Sequence, residues 1–204
     1  ASFPDQVLVM RYRGAGFVLS LDSALEHETC GEGNELRLDG RCPVHARRNE
    51  VRQSDGNRPC GIRFQIRVRL LAPAGTVTND ETQLSFSGGE ALLLVAIRTS
   101  FIDWRTMPDA TDYVEKCKCD LDRAAAAGFA QLLANHLDDY QKLYRRSELI
   151  LPETAEDELP TDERLKRCGE RFSIALAALL YHFGRYLLLA SSRPGSQPAN
   201  LQGI

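Results

Sequence analysis

The chain has 204 residues, 43% of them hydrophobic and 26% charged, with a formal net charge of −3. Such a composition supplies a core for one large domain or parts of two, and a charge so near balance gives no reason to expect nucleic acid or an anionic membrane as partner. The six cysteines are too dispersed for a disulfide mini-scaffold, and free thiols are expected because a core of this size needs no covalent staples.

The first half has strand periodicity. Val7 to Met10 reads as a strand covered on both faces, with Gly16 to Leu21 as its neighbour through the turn at Arg13-Gly14. After a turn-rich stretch, Glu35 to Asp39 makes a short alternating strand, and residues 55–59 form a loop by composition. Arg63 to Leu70 alternates most clearly: Phe64, Ile66, Val68 and Leu70 share one face, and Arg63, Gln65, Arg67 and Arg69 the other, a row expected to face solvent. A register slip of one residue would bury the arginines, so the register is well specified. Residues 76–78 and 83–86 pair as a hairpin whose turn falls at Asn79-Asp80, residue types that tolerate positive φ. Ala91 to Ile97 is apolar without a polar face, which predicts an interior strand of a two-layer β structure, and the sheet half ends near Trp104.

From Asp109 the period changes to 3.6. Tyr113, Cys117, Leu121 and Ala124 recur at helical spacing into an alanine run, and Gly128 breaks or kinks the helix. A second stretch from Phe129 to Tyr144 turns Leu132, Leu133, His136, Leu137, Tyr140 and Tyr144 to one side, and Asp138, Asp139 and Lys142 toward water. Leu149 to Leu151 is strand-like, and the acidic tract 153–158 reads as an exposed loop. Pro160 followed by Asp162 and Glu163 in a first turn starts another helix at Thr161. A last helix aligns Leu176, Leu179, Leu180, Phe183 and Leu187. Residues 172–190 approach the length of a membrane span, but His182 and Arg185 interrupt the apolar run, which predicts a buried helix instead. Pro194, Gly195 and Pro198 then force an irregular path. With no initiator Met at Ala1 and no closing element after Ile204, the residues are expected to come from a longer protein. No leader peptide is visible, and the compartment stays open.

Cys117-x-Cys119 lacks a second pair at zinc-like spacing and points to two sides of a helix, so no metal is expected. His136 and His182 sit among apolar helical neighbours, as packing histidines do. No Gly-x-Ser-x-Gly elbow is present. Paired carboxylates suffice for sugar hydrolysis, yet the acids of helix starts and acidic loops are explained by capping and solvation, and spacing alone singles out none of them.

Leu159-Pro-Thr-Asp-Glu-Arg-Leu165, Gly184-Arg-Tyr-Leu-Leu-Leu-Ala-Ser-Ser-Arg-Pro-Gly195 and Pro198-Ala-Asn-Leu-Gln-Gly-Ile204 resemble the start of the catalytic domain of glycoside hydrolase family 95, the 1,2-α-L-fucosidases. Ser2 to Val9, Thr99 to Phe101 and His136 to Arg146 resemble family segments in the same order, so the likeness spans essentially the whole chain. It implies an α+β fold: residues 1–105 as the later part of an N-terminal antiparallel β super-sandwich, 106–159 as a helical linker, and 160–204 as the start of an (α/α)6 barrel. It also implies an inverting, cofactor-free and metal-free removal of terminal α-1,2-linked L-fucose from a fucosylated oligosaccharide. The catalytic residues are expected in motifs after Ile204, none of them here, and the isolated segment is expected to be inactive. Arg193, Asn200 and Gln202, in a loop of the kind that forms a barrel's cleft, are candidates for binding the sugar or supporting the site. Their plainer role is scaffolding of a Pro/Gly turn. An α-L-galactosidase of the same family, or a non-catalytic carbohydrate-binding module built from the β half, remains as an alternative.

Overall fold

The computed structural model describes residues 1–47, 50–52, 61–103, 105–152, 154–169 and 173–199. Among the described residues, ten strands precede three α-helices: β1 (Val7–Arg13), β2 (Gly16–Ser20), β3 (Glu26–Glu32), β4 (Glu35–Arg41), β5 (His45–Arg47), β6 (Glu50–Arg52), β7 (Arg63–Leu71), β8 (Thr76–Asn79), β9 (Gln83–Ser87), β10 (Glu90–Thr99), α1 (Tyr113–Tyr144), α2 (Thr161–Cys168) and α3 (Ile174–Ser191). The chain divides after His136 into two compact units. The composition-based loop at 55–59, Cys60 and Trp104 lie outside the described residues.

In the first unit an antiparallel sheet of order β1-β10-β7-β4-β3 is accompanied by a three-stranded sheet, β2-β9-β8, and a β5-β6 ribbon. Although consecutive, β1 and β2 do not pair. β1 pairs with β10 and β2 with β9, so the expected neighbours belong to different sheets. The chain changes sheet at residues 14–15, where Gly14 N donates to Gly89 O at 3.0 Å and Gly88 N donates to Ala15 O at 2.8 Å. A turn signal specifies a reversal but not which sheet the next strand joins. Gly88 and Gly89 make this corner with φ of 90° and 73°, a region that side chains disfavour.

β3 is a strand that apolar periodicity does not announce. Its residues alternate between exposed and half-buried while carrying Glu26, Glu28 and Glu32, which suits an edge strand, where charge discourages further pairing. Its local signal is the Gly33-Asn34 turn to β4, with Gly33 at φ 58°. The β8-β9 hairpin forms as expected, but its positive-φ residue is Glu81 (φ 76°) rather than Asn79 or Asp80. The two expected turn residues act through side chains instead: Asn79 Oδ1 accepts from Glu81 N at 2.8 Å, and Asp80 Oδ1 from Gln83 N at 2.7 Å.

The core has two layers, one on each side of the five-stranded sheet. Leu36, Leu70, Ala91 and Leu93 pack against Leu84 and Phe86 of the smaller sheet, whereas Val7, Leu94 and Ala96 pack against Cys117, Leu121, Ala124 and Leu132 of α1. This explains why β10 has no polar face. It also corrects the solvated arginine row, because α1 lies over that face: the Arg67 and Arg69 side chains are only 14% exposed. Arg69 Nε donates to Glu35 Oε1 and its NH2 to Asp122 Oδ1, both at 2.6 Å, and Arg63 NH2 donates to Asp109 O at 2.8 Å. Alternation identifies the two faces of a strand, but an arginine face can be covered when a helix brings carboxylates to it.

α1 runs across Gly128, whose φ 72° and ψ 169° are not helical, so the kink falls where the sequence places it. In the second unit, residues 149–151 form no strand, and Ile150 is exposed. The acidic tract contains a single 3-10 turn, Ala155–Glu158. α2 begins after Pro160 with Asp162 and Glu163 in its first turn and Lys166 and Arg167 in its last, as the helix dipole favours. α3 starts at Ser173, whose Oγ accepts from Leu176 N at 3.2 Å. It is not the buried helix that its pattern predicts. Ala175 is its one buried residue, and Leu180, Phe183 and Leu187 are 68%, 52% and 42% exposed. By length and composition it is also apolar enough to cross a membrane. Among the described residues, Leu179 and Leu188 of this helix are exposed as well.

Candidate functional site

The described part of the second unit brings the C-terminal turns of α1, residues 145–149, α3 and the loop that follows it to one neighbourhood. Helical spacing lines up Tyr140 and Tyr144, whose rings stack 5.3 Å apart, and Tyr186 stands 6.5 Å from Tyr140. Burial among these rings pushes the Tyr140 hydroxyl pKa up. Arg185 lies over the Tyr144 ring at 5.1 Å and donates to the carbonyls of Ser147 and Leu143. It therefore caps the end of α1, which leaves carbonyls without intrahelical partners. Tyr181 and Ser147 share a hydroxyl hydrogen bond at 2.5 Å. His182 Nε2 bonds Leu149 O at 3.1 Å, the occupied packing role expected of it. A groove of about 340 Å³ is lined by Leu143, Arg146, Ser147, Arg185, Leu188 and Leu189. With no carboxylate among its lining residues it offers no acid-base pair.

Of the three candidate site residues, Arg193 is described, while Asn200 and Gln202 lie outside the described residues. Arg193 donates through its guanidinium to Asp139 Oδ2, and its side chain is only 7% exposed. Asp139, expected to face water, is thus turned inward to an arginine 54 positions away. Its neighbour Asp138 does face out, accepting from Lys142 at 2.5 Å in an i,i+4 pair. The second pair was readable from helical spacing; no local signal marks the first. Arg193 also closes the loop. Its N–H donates to Ser196 Oγ at 2.8 Å, and its carbonyl accepts from Ser196 N at 2.9 Å. Gly195, at φ 85°, makes that tight turn possible.

In the first unit, Cys117 is buried, with its thiol directed at Ala96 O (3.5 Å) and Gln65 O (3.8 Å), while Cys119 is exposed and bonds Glu115 Oε1 at 3.5 Å. Burial raises the Cys117 pKa to about 11. The two thiols point apart, as residues two positions apart on a helix must. All the described cysteines are free. The aromatic residues Tyr12, Phe17 and Phe86 of the β half pack edge-to-face or tilted within 6.1 Å of one another, directed into the core rather than arranged as a sugar-stacking platform.

Comparison with known proteins matches residues 1–104 to the N-terminal domain of glycosyl hydrolase family 65 and residues 128–204 to the catalytic domain of glycosyl hydrolase family 95. Residues 128–204 carry the catalytic-domain sequence of glycosyl hydrolase family 95. It is 32% identical to alpha-L-fucosidase 2 of Arabidopsis thaliana over 100% of its own length and 27% of that protein. With a probable alpha-fucosidase A of Aspergillus niger it shares 28% identity over 100% of its length and 26% of the relative. A probable alpha-fucosidase A of Aspergillus oryzae is 34% identical over 47% of the chain. The chain thus spans about a quarter of the length of the first two relatives. Its antiparallel sheets followed by helices make it α+β, as the sequence resemblance implies.

Proposed function

We infer that this chain is a segment of an α-L-fucosidase that removes terminal α-1,2-linked L-fucose from oligosaccharides or glycans with inversion at the anomeric carbon. The observation that carries this reading is end-to-end similarity to two proteins named as α-fucosidases, with a β-domain match and a catalytic-domain match in the same order. Inversion requires a general acid on the leaving oxygen and an activated water on the opposite face of the sugar. The groove beside Arg185 has no carboxylate in its lining, and on this reading those groups are supplied by parts of the protein outside these residues.

On this reading residues 1–105 are the later part of a β super-sandwich, 106–159 a linker, and 160–204 the opening of an (α/α)6 barrel. The catalytic-domain match already begins at residue 128 and so includes part of that linker. The exposed leucines and Phe183 of α3 fit a helix whose partner helices belong to the rest of such a barrel. Arg193, Asn200 and Gln202 would bind fucose or support the groups that do.

The test is an assay of the complete enzyme and of the isolated segment on 2′-fucosyllactose, with the anomer of the released sugar followed by NMR. The complete enzyme should release β-L-fucose first, and the segment should release none. Release of α-L-fucose would overturn the inverting mechanism, and turnover by the segment would overturn the domain assignment. Faster hydrolysis of an α-L-galactoside would reassign the substrate.

A further inference from the structure

We propose that Asp139 is a positioning residue for the reaction, acting through Arg193 to set the path of residues 192–199; this rests on the fucosidase reading. Arg193 combines a side chain that is almost wholly covered with a backbone that is the pivot of the turn. Among the described residues, the side chains of Ser192 and Ser196 bond only within or next to the loop: Ser192 Oγ donates to Gln197 O at 3.5 Å, and Ser196 Oγ to Arg193 O at 2.8 Å. Pro194 and Pro198 stiffen the path without supplying N–H donors. The ion pair to Asp139 is therefore a polar side-chain tie from this rigid turn to α1. An exposed pair would hold it weakly, but this one is shielded on the arginine side. The planar guanidinium fork also constrains direction as well as distance. A loop anchored in this way loses its placement, and not its internal shape, when the carboxylate is removed.

The experiment compares wild type, Asp139→Asn, Asp139→Glu and Arg193→Lys in the complete enzyme, using 2′-fucosyllactose turnover below the melting transition and amide hydrogen exchange of residues 193–199. Asp139→Asn should lower kcat by about tenfold to a hundredfold, the range expected when a group remote from the chemistry shifts the geometry, with KM little changed. Exchange in the loop should rise. Asp139→Glu should recover most of kcat and return exchange toward wild type, whereas Arg193→Lys should recover less. Unchanged kcat in Asp139→Asn, or a lower melting temperature with kcat per folded molecule intact, would overturn the proposal. A complete wild-type protein with no fucosidase activity would sink the functional reading on its own. The exchange measurement would still decide whether Asp139 holds the loop, and unchanged exchange would remove that claim as well.

Discussion

Arg98 of β10 donates through Nε to Asp120 Oδ2 of α1 at 2.6 Å, and the Asp120 side chain is 2% exposed. Arg123, one turn further along the helix, donates to the other carboxylate oxygen. Asp120 therefore joins helix to sheet at the margin of the apolar layer formed by Leu94, Ala96, Cys117 and Leu121. Replacing Asp120 with Ala leaves the Arg98 guanidinium beside that layer without its counter-charge, a loss of about 3 kcal/mol by the usual cost of breaking a covered pair. Urea unfolding should show the midpoint fall by the corresponding amount, while a loss under about 0.5 kcal/mol, the ordinary surface value, would mean the pair is solvated.

Gly128 sits at φ 72° and ψ 169°, a combination open essentially to glycine alone. A Cβ there would meet no neighbouring atom, so the difficulty is conformational and not steric crowding from outside. Gly128→Ala should destabilise the chain by about 1–3 kcal/mol. The opposing tendency is clear from the preceding alanines, since Ala at 128 favours one uninterrupted helix. Thermal unfolding monitored by circular dichroism decides between them: a higher melting temperature in the variant would mean the kink is not required by the fold.

The Cys117 thiol has its pKa raised from 9.0 to about 11. Below pH 9 folded and unfolded chains both keep the proton, and the contribution is fully present. Between about 9 and 11 the unfolded chain releases a proton that the folded chain retains, so stability falls as pH rises through that window. By the linkage relation the loss is about 2 kcal/mol at pH 11. Subtracting the pH profile of Cys117→Ala from that of wild type isolates it, because other groups titrating there are common to both. A difference that stays flat from pH 8 to 11 would show the thiol to be solvated. At neutral pH a thiol reagent should modify Cys119 well before Cys117.

Leu180 is 68% exposed on α3. Leu180→Ser should change the stability of this chain by less than about 0.5 kcal/mol and reduce its binding of a hydrophobic dye. In the complete enzyme the same substitution should cost about 2–4 kcal/mol if partner helices cover this face. Equal, small effects in both would mean that the face stays in water there too.

Local regularity was sufficient for much of this molecule. Alternation located β7, apolar continuity located β10, and helical spacing with Gly128 located α1 and its kink. Pro160 with its acidic followers located the start of α2. These features depend on residues within a few positions of one another, and a single sequence displays them directly. The polar edge strand β3 escaped because edge strands carry charge where a pattern search looks for apolar residues.

What tertiary structure decided were relations between residues far apart in the chain. Whether β2 continues the sheet of β1 depends on a corner held by Gly14 and Gly89. Whether Arg69 meets water depends on Asp122, and whether Asp139 does depends on Arg193. The sequence by itself carried the family resemblance, because a contiguous string such as Gly184 to Gly195 is specific when read along the chain. It turned Asp139 toward water, because an ion pair across 54 positions leaves no periodicity, and only folding brings its two charges together.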